Sequence, residues 1–148
     1  MGYSPNFRGK SATITSGSVG GAVDNNSGLT LVRATPIRID GNGDAAPIDV
    51  SVEAQAIAVV GVSLENVIDG SSGTIVTSGK VENITTTANN GDVLYVSKTG
   101  GLTNTQPSIG IGGFVAGDFI IRIGTLFKNV ETPSQQDLLL NVSIVGQL

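Results

Sequence analysis

Twelve carboxylates, two tyrosines and many Ser, Thr and Asn residues are the side chains of this 148-residue chain that could do chemistry. Two carboxyl groups flanking a glycosidic bond can act as acid and base or nucleophile, yet no spacing singles out two of the twelve. Asp40, Asp44, Asp69, Asp92 and Asp118 each adjoin a glycine, in stretches where aspartate is favoured because it bonds back to the backbone. Tyr95 could donate a proton, but within Val93-Leu94-Tyr95-Val96 it reads as a packing residue. Asp40-Gly41-Asn42-Gly43-Asp44 has the look of a calcium loop. An EF-hand needs Gly at the sixth position and Glu at the twelfth, where this chain has Ala45 and Ser51, so a turn is expected. Ile109-Gly110-Ile111-Gly112-Gly113-Phe114 lacks the third glycine of a dinucleotide fingerprint, since position 115 is Val115. It reads as a bend or bulge. Histidine and cysteine are both absent. That removes disulfides, thiol nucleophiles, Cys/His zinc sites and Ser-His-Asp triads. A non-enzymatic protein with no cofactor and no metal is expected.

The elements that would position such groups are short strands. From Gly73 to Leu126 they follow one another between turn signals. Thr74 to Thr77 is expected to break at Ser78-Gly79, Lys80 to Ile84 leads into a polar run ending at Asn90-Gly91, and Asp92 to Val96 ends at Thr99-Gly100-Gly101. Asn-Gly and Gly-Gly supply the positive φ of tight turns, and the β-branched residues between them suit a pleated, half-buried surface. This predicts a meander. Before it, Leu29–Ala34, Pro36–Asp40 and Ala58–Glu65 read as strands, the last with Ala58, Val60, Val62 and Leu64 on one face. Pro47–Ile57 reads as a single helical turn capped by Asp49 or Ser51, with a strand that alternates through Val50, Val52 and Ala54 as the alternative. Asp118–Leu126 is the last strong strand, with Phe119, Ile121 and Ile123 on one face.

Only 14% of residues are charged, aromatics are 4%, glycine numbers 21 and the net charge is −4. Low charge with many small β-tolerant residues suggests an all-β protein whose surface is partly covered by partners. Scattered basic residues argue against nucleic acid as the main ligand. No run approaches the length of a membrane-spanning helix, and the N-terminus lacks a signal-peptide apolar region. Cytoplasmic synthesis is the expectation. The Asn-x-Ser/Thr sequons at Asn25, Asn83 and Asn141 follow from the Ser/Thr-rich composition.

Both termini differ from the middle. Residues 1–27 are polar, with Tyr3, Phe7, Arg8 and Lys10 and no acid before Asp24. They read either as a frayed end or as an extended arm that orders on a neighbouring subunit through its two aromatics and two cations. Residues 28–128 form the expected β domain. In the tail, 129–148, Leu138, Leu140, Val142 and Ile144 alternate as in a strand, while Ser134 could cap a helix. The tail either docks on a neighbour or closes the domain's own sheet.

The order of signals from Ala58 to Leu126 adds a family resemblance. It runs Val60-Gly61-Val62-Ser63-Leu64-Glu65, Gly73-Thr74-Ile75-Val76-Thr77-Ser78-Gly79, Asn90-Gly91-Asp92-Val93-Leu94-Tyr95-Val96, Thr99-Gly100-Gly101-Leu102-Thr103, then Ile111-Gly112 and Ile121-Arg122-Ile123-Gly124. This resembles the capsid decoration, or cement, proteins of tailed bacteriophages and the related head-fibre proteins, over about half the chain. The resemblance implies a small antiparallel β-barrel or β-tulip-like domain, often trimeric. It also implies a virion location on the capsid surface and the major capsid protein as partner, with no catalytic residues. A tail, fibre or baseplate component contacting host surface or glycans is the alternative class. A cellular β-domain interaction module is the other.

Overall fold

The computed structural model describes Ile14 and residues 17–148. Its strands are β1 (Val19–Asp24), β2 (Pro36–Ile39), β3 (Ala45–Ala46), β4 (Val59–Ser63), β5 (Ser72–Val81), β6 (Val93–Val96), β7 (Leu102–Thr103), β8 (Phe119–Lys128) and β9 (Gln136–Gln147). A four-residue helix, α1 (Glu53–Ala56), is the one helical element among the described residues. Every pairing between these strands is antiparallel, and the path runs β3-β2-β4-β5-β9-β8-β6-β7, with β1 added to β5. The protein is an all-β domain built on an antiparallel sheet.

Strand β5 is the hub. Its first half lies between β1 and β4 (Gly20↔Val76, Val62↔Val76), and its last three residues pair with β9 (Gly79↔Leu140, Val81↔Leu138). The turn expected at Ser78-Gly79 is therefore not a turn: β5 continues through it, and Gly79 at φ +90° marks where the strand changes partner. Residues Gly73 to Val76 are all buried, because β5 has apolar neighbours on both faces. Val76 belongs to the main core with Val62, Val81, Leu94, Val96, Ile121, Ile123 and Leu126. Ile75, its neighbour, belongs to a second cluster with Leu31, Ile37, Ala45 and Val67. Successive residues of the strand are therefore buried on opposite faces, in two different clusters.

Where strands crowd β5, side chains have to vanish. A Cβ on Gly61 of β4 would lie 2.0 Å from the Val76 carbonyl oxygen, and one on Gly20 of β1 would lie 2.0 Å from that of Ile75. Both glycines sit beside register shifts, so the sheet bends around β5 through bulges that no larger residue permits. The same irregularity splits the face expected for β4. Val62 and Leu64 lie in the main core, whereas Val60 packs on the second cluster.

Leu29–Ala34, expected as a strand, forms only the isolated bridge Leu31↔Val67. Three other expectations change. Residues 19–24 of the expected arm are β1, paired along β5, and Ile14 packs against the main core. The tail is a strand, and it enters the sheet interior: β9 inserts between β5 and β8, so the meander is not sequential. Leu138, Leu140 and Val142 alternate inward, which the period of two requires. Finally, α1 forms where a helical turn is expected, but Val52 precedes it without a side-chain cap. Asp49 instead accepts hydrogen bonds from the Ser51 backbone N–H (2.9 Å) and Oγ–H (2.6 Å). That local Asx bond competes with capping.

Candidate protein interface

The expected arm residues Tyr3, Phe7, Arg8 and Lys10 lie outside the described residues. In the tail, Leu138 is 0% exposed and Leu140 8%, and Val142 packs on the main core. These three serve this domain's own sheet and present no adhesive surface. Ile144, 40% exposed, is the member of that set that faces solvent.

The carboxylates are used as turn and loop fasteners. Asp40 Oδ1 accepts from the Asn42 and Asp44 N–H groups (2.9 and 3.0 Å), so the Asp40–Asp44 segment is a turn, as expected. Asp137, fully buried, accepts from Asn83 N–H (3.0 Å) and from the Asn129 amide (2.8 Å), with the Lys80 ammonium 3.8 Å away. Asp118, also buried, receives both contacts of Lys98 Nζ (2.8 and 2.7 Å) and the Val115 N–H (2.9 Å). Burial alone would raise the Asp118 pKa. The Lys98 hydrogen bond, the Val115 N–H and the Lys98 charge outweigh it and hold the carboxyl below the usual aspartate range. Among the described residues no group of three or more His, Cys, Asp or Glu side chains is placed to hold a metal ion. Nor is any helix of the described residues long and apolar enough to cross a membrane. Asn25, the first sequon, is buried. Its amide donates to the carbonyls of Leu29 (2.7 Å) and Val67 (2.8 Å), so it fastens a loop.

Several large aliphatic side chains are nonetheless exposed on the surface. The loop between β7 and β8 exposes Ile109, Ile111 and Val115, each by half or more. Its base is fixed: Phe114 is buried in the main core, Gly110 N–H donates to Phe114 O (2.9 Å), and the Asp118–Lys98 pair closes the end. Rigid presentation of apolar side chains suits a contact surface. The loop entering β2 does the same with Leu29 and Val32, and Ile68 is exposed on the segment that pairs with it. Sequence reasoning did not single these residues out. Ile109 and Ile111 alternate with glycines as strand residues could, so their exposure had no clear local signal in the sequence.

A trench runs beside that second loop. Its centre, about 750 Å³, has Leu29, Val32, Ile84 and Leu102 among its lining residues, with Arg33 and Thr99 at the edges. Past Leu29, Pro47 and Thr99 it continues into a depression of about 490 Å³ that includes Arg38, Asp49 and Lys98. At the other end Ile84, Thr85 and Leu102 lead into a smaller one of about 180 Å³ bordered by Thr103 and Asn104. Arg33 spans one wall, donating from its guanidinium to the carbonyls of Glu82 and Asn83. Ala34 in the lining and Asn83 beside it both have positive φ (66° and 56°). Non-glycine residues take that conformation at some cost.

Comparison of the chain with protein-family models, with curated proteins and with solved structures finds no match.

Proposed function

We propose that this chain is a virion structural protein that decorates and stabilises the outside of a bacteriophage capsid, with the major capsid protein as partner and as a homo-oligomer, a trimer in the closest form of the reading. The observation that carries it is the set of aliphatic side chains, Ile109, Ile111, Val115, Leu29, Val32 and Ile68, held exposed on anchored loops of a low-charge β domain. Such surfaces favour a protein that works by being held between others. The capsid assignment comes from the order of motifs between Ala58 and Leu126 and from the Gly-Asp-Val-Leu-Tyr-Val strand within it. No catalytic step is part of the reading. A barrel- or tulip-like closure of the sheet belongs to the same resemblance.

Each copy contributes a modest contact, and many copies on one shell add through multivalency. Stabilisation follows because the bound protein favours the expanded shell by mass action. The test is thermal. Heads assembled without the chain should release their DNA at a lower temperature than heads saturated with the purified protein. An unchanged release temperature, at a concentration where binding is complete, contradicts the stabilising role.

A further inference from the structure

We infer that the trench lined by Leu29, Val32, Ile84 and Leu102 takes an extended, carboxylate-bearing peptide segment of a partner, laid alongside β7. Three observations carry this. First, the three depressions share residues end to end, Leu29, Pro47 and Thr99 on one side and Ile84, Thr85 and Leu102 on the other. A channel of that form suits a chain better than a compact ligand. Second, β7 contributes Leu102 and Thr103 to the lining and is the terminal strand of the sheet path, with β6 on one side of it. A terminal strand offers backbone groups to an added strand, and alternate side chains of the incoming segment would meet the aliphatic floor.

Third, the charge is opposite to that of the rest of the body. Of the eight basic residues, Arg8 and Lys10 lie outside the described set, and Arg33, Arg38 and Lys98, half of the remaining six, line the trench. Of the twelve acids, Asp49 alone lines it. Lys98 is neutralised by Asp118. Arg33 spends its guanidinium on uncharged carbonyl oxygens and keeps its charge. Arg38 donates Nε–H to Pro47 O (2.8 Å), and no acceptor among the described residues takes its Nη groups. Those groups are available for the bidentate grip on a carboxylate at which arginine excels. No aromatic side chain lines the trench, so stacking of nucleobases is not supported there.

The inference goes beyond the decoration reading, since it holds for any partner that presents such a segment. The experiment uses the full chain labelled with nitrogen-15 and three capped heptapeptides, in which valine alternates with aspartate, with asparagine or with lysine. The aspartate peptide should shift amide resonances of residues 29–35, 84–85 and 99–103. Its affinity should fall about tenfold in Arg38→Glu and in Val32→Asp, and with added salt. Val32 is exposed, so its substitution keeps the test valid if Arg38→Glu unfolds the chain. Equal binding of the three peptides overturns the inference, as do shifts confined to residues 108–117 or no shift at millimolar peptide. Binding of polygalacturonate or of a thymidine oligonucleotide in the trench without binding of the aspartate peptide overturns it as well. Peptide binding by a protein that ignores phage heads would sink the decoration reading alone.

Discussion

Asp118 shows how this chain uses its acidic residues. The side chain is buried, yet Lys98 and the Val115 N–H keep its pKa below the ordinary aspartate range against the opposing effect of burial. A carboxyl group whose folded pKa lies below its unfolded one adds stability that is complete above the unfolded value. That stability is lost as pH falls through the folded value. The urea midpoint of the native chain should therefore drop between pH 6 and pH 3, and that of Asp118→Asn should drop less. At pH 7 the same substitution should cost about 2 kcal/mol. That is below the range for breaking a fully buried pair, because the Lys98 side chain retains 27% exposure. Identical pH dependence in the two proteins would show that the pair is not what titrates. The turn role of such aspartates was legible from the glycines beside them. The partner Lys98, twenty residues away in sequence, was not, because no local pattern encodes an ion pair across two loops.

At the scale of elements, most strands could be read from their β-branched runs and bounding turns, but their neighbours could not. The apolar alternation of Leu138, Leu140 and Val142 identified a strand equally fit for a partner's sheet or its own, and only the pairing of β9 with both β5 and β8 decides it. Leu138→Ala should accordingly cost about 2–5 kcal/mol, whereas the half-exposed Leu139→Ala should stay within about 0.5 kcal/mol, both by urea denaturation. Similar losses at the two positions would mean that β9 is not seated as described. The break expected at Ser78-Gly79 failed for a related reason. A glycine at positive φ ends a strand in isolation, but here β5 gains β9 as it passes that point. Close approach at β5 makes a second prediction. Gly61→Ala forces a methyl group onto the Val76 carbonyl and should cost about 3 kcal/mol. Gly21→Ala, whose Cβ would meet nothing within 4 Å, should be tolerated. A Gly61→Ala protein as stable as the parent would contradict the bulged geometry.

For the whole molecule, the decisive features are a β body fastened by buried acids and a surface whose exposed aliphatics sit on anchored loops. Which aliphatic residues are exposed could not be read from composition, because exposure depends on how distant strands pair. Truncation of the tail cannot test anchoring. Deleting the tail after Asn129 removes β9 from the sheet interior and would unfold the domain, so loss of binding on truncation would carry no information about an anchor. Point changes on the loops, such as Ile109→Asp with Ile111→Asp, leave the core intact and should abolish binding if those loops make the contact. In solution, sedimentation equilibrium should give three times the 15.0 kDa chain mass for the trimeric form of the reading. The proposed capsid role is tested most directly by co-sedimentation of the purified chain with tailed-phage heads assembled without it, alongside unexpanded shells. The account predicts saturable binding at a fixed number of copies per expanded head, little binding to unexpanded shells, and loss of binding in the double loop variant. No binding to either shell would contradict it.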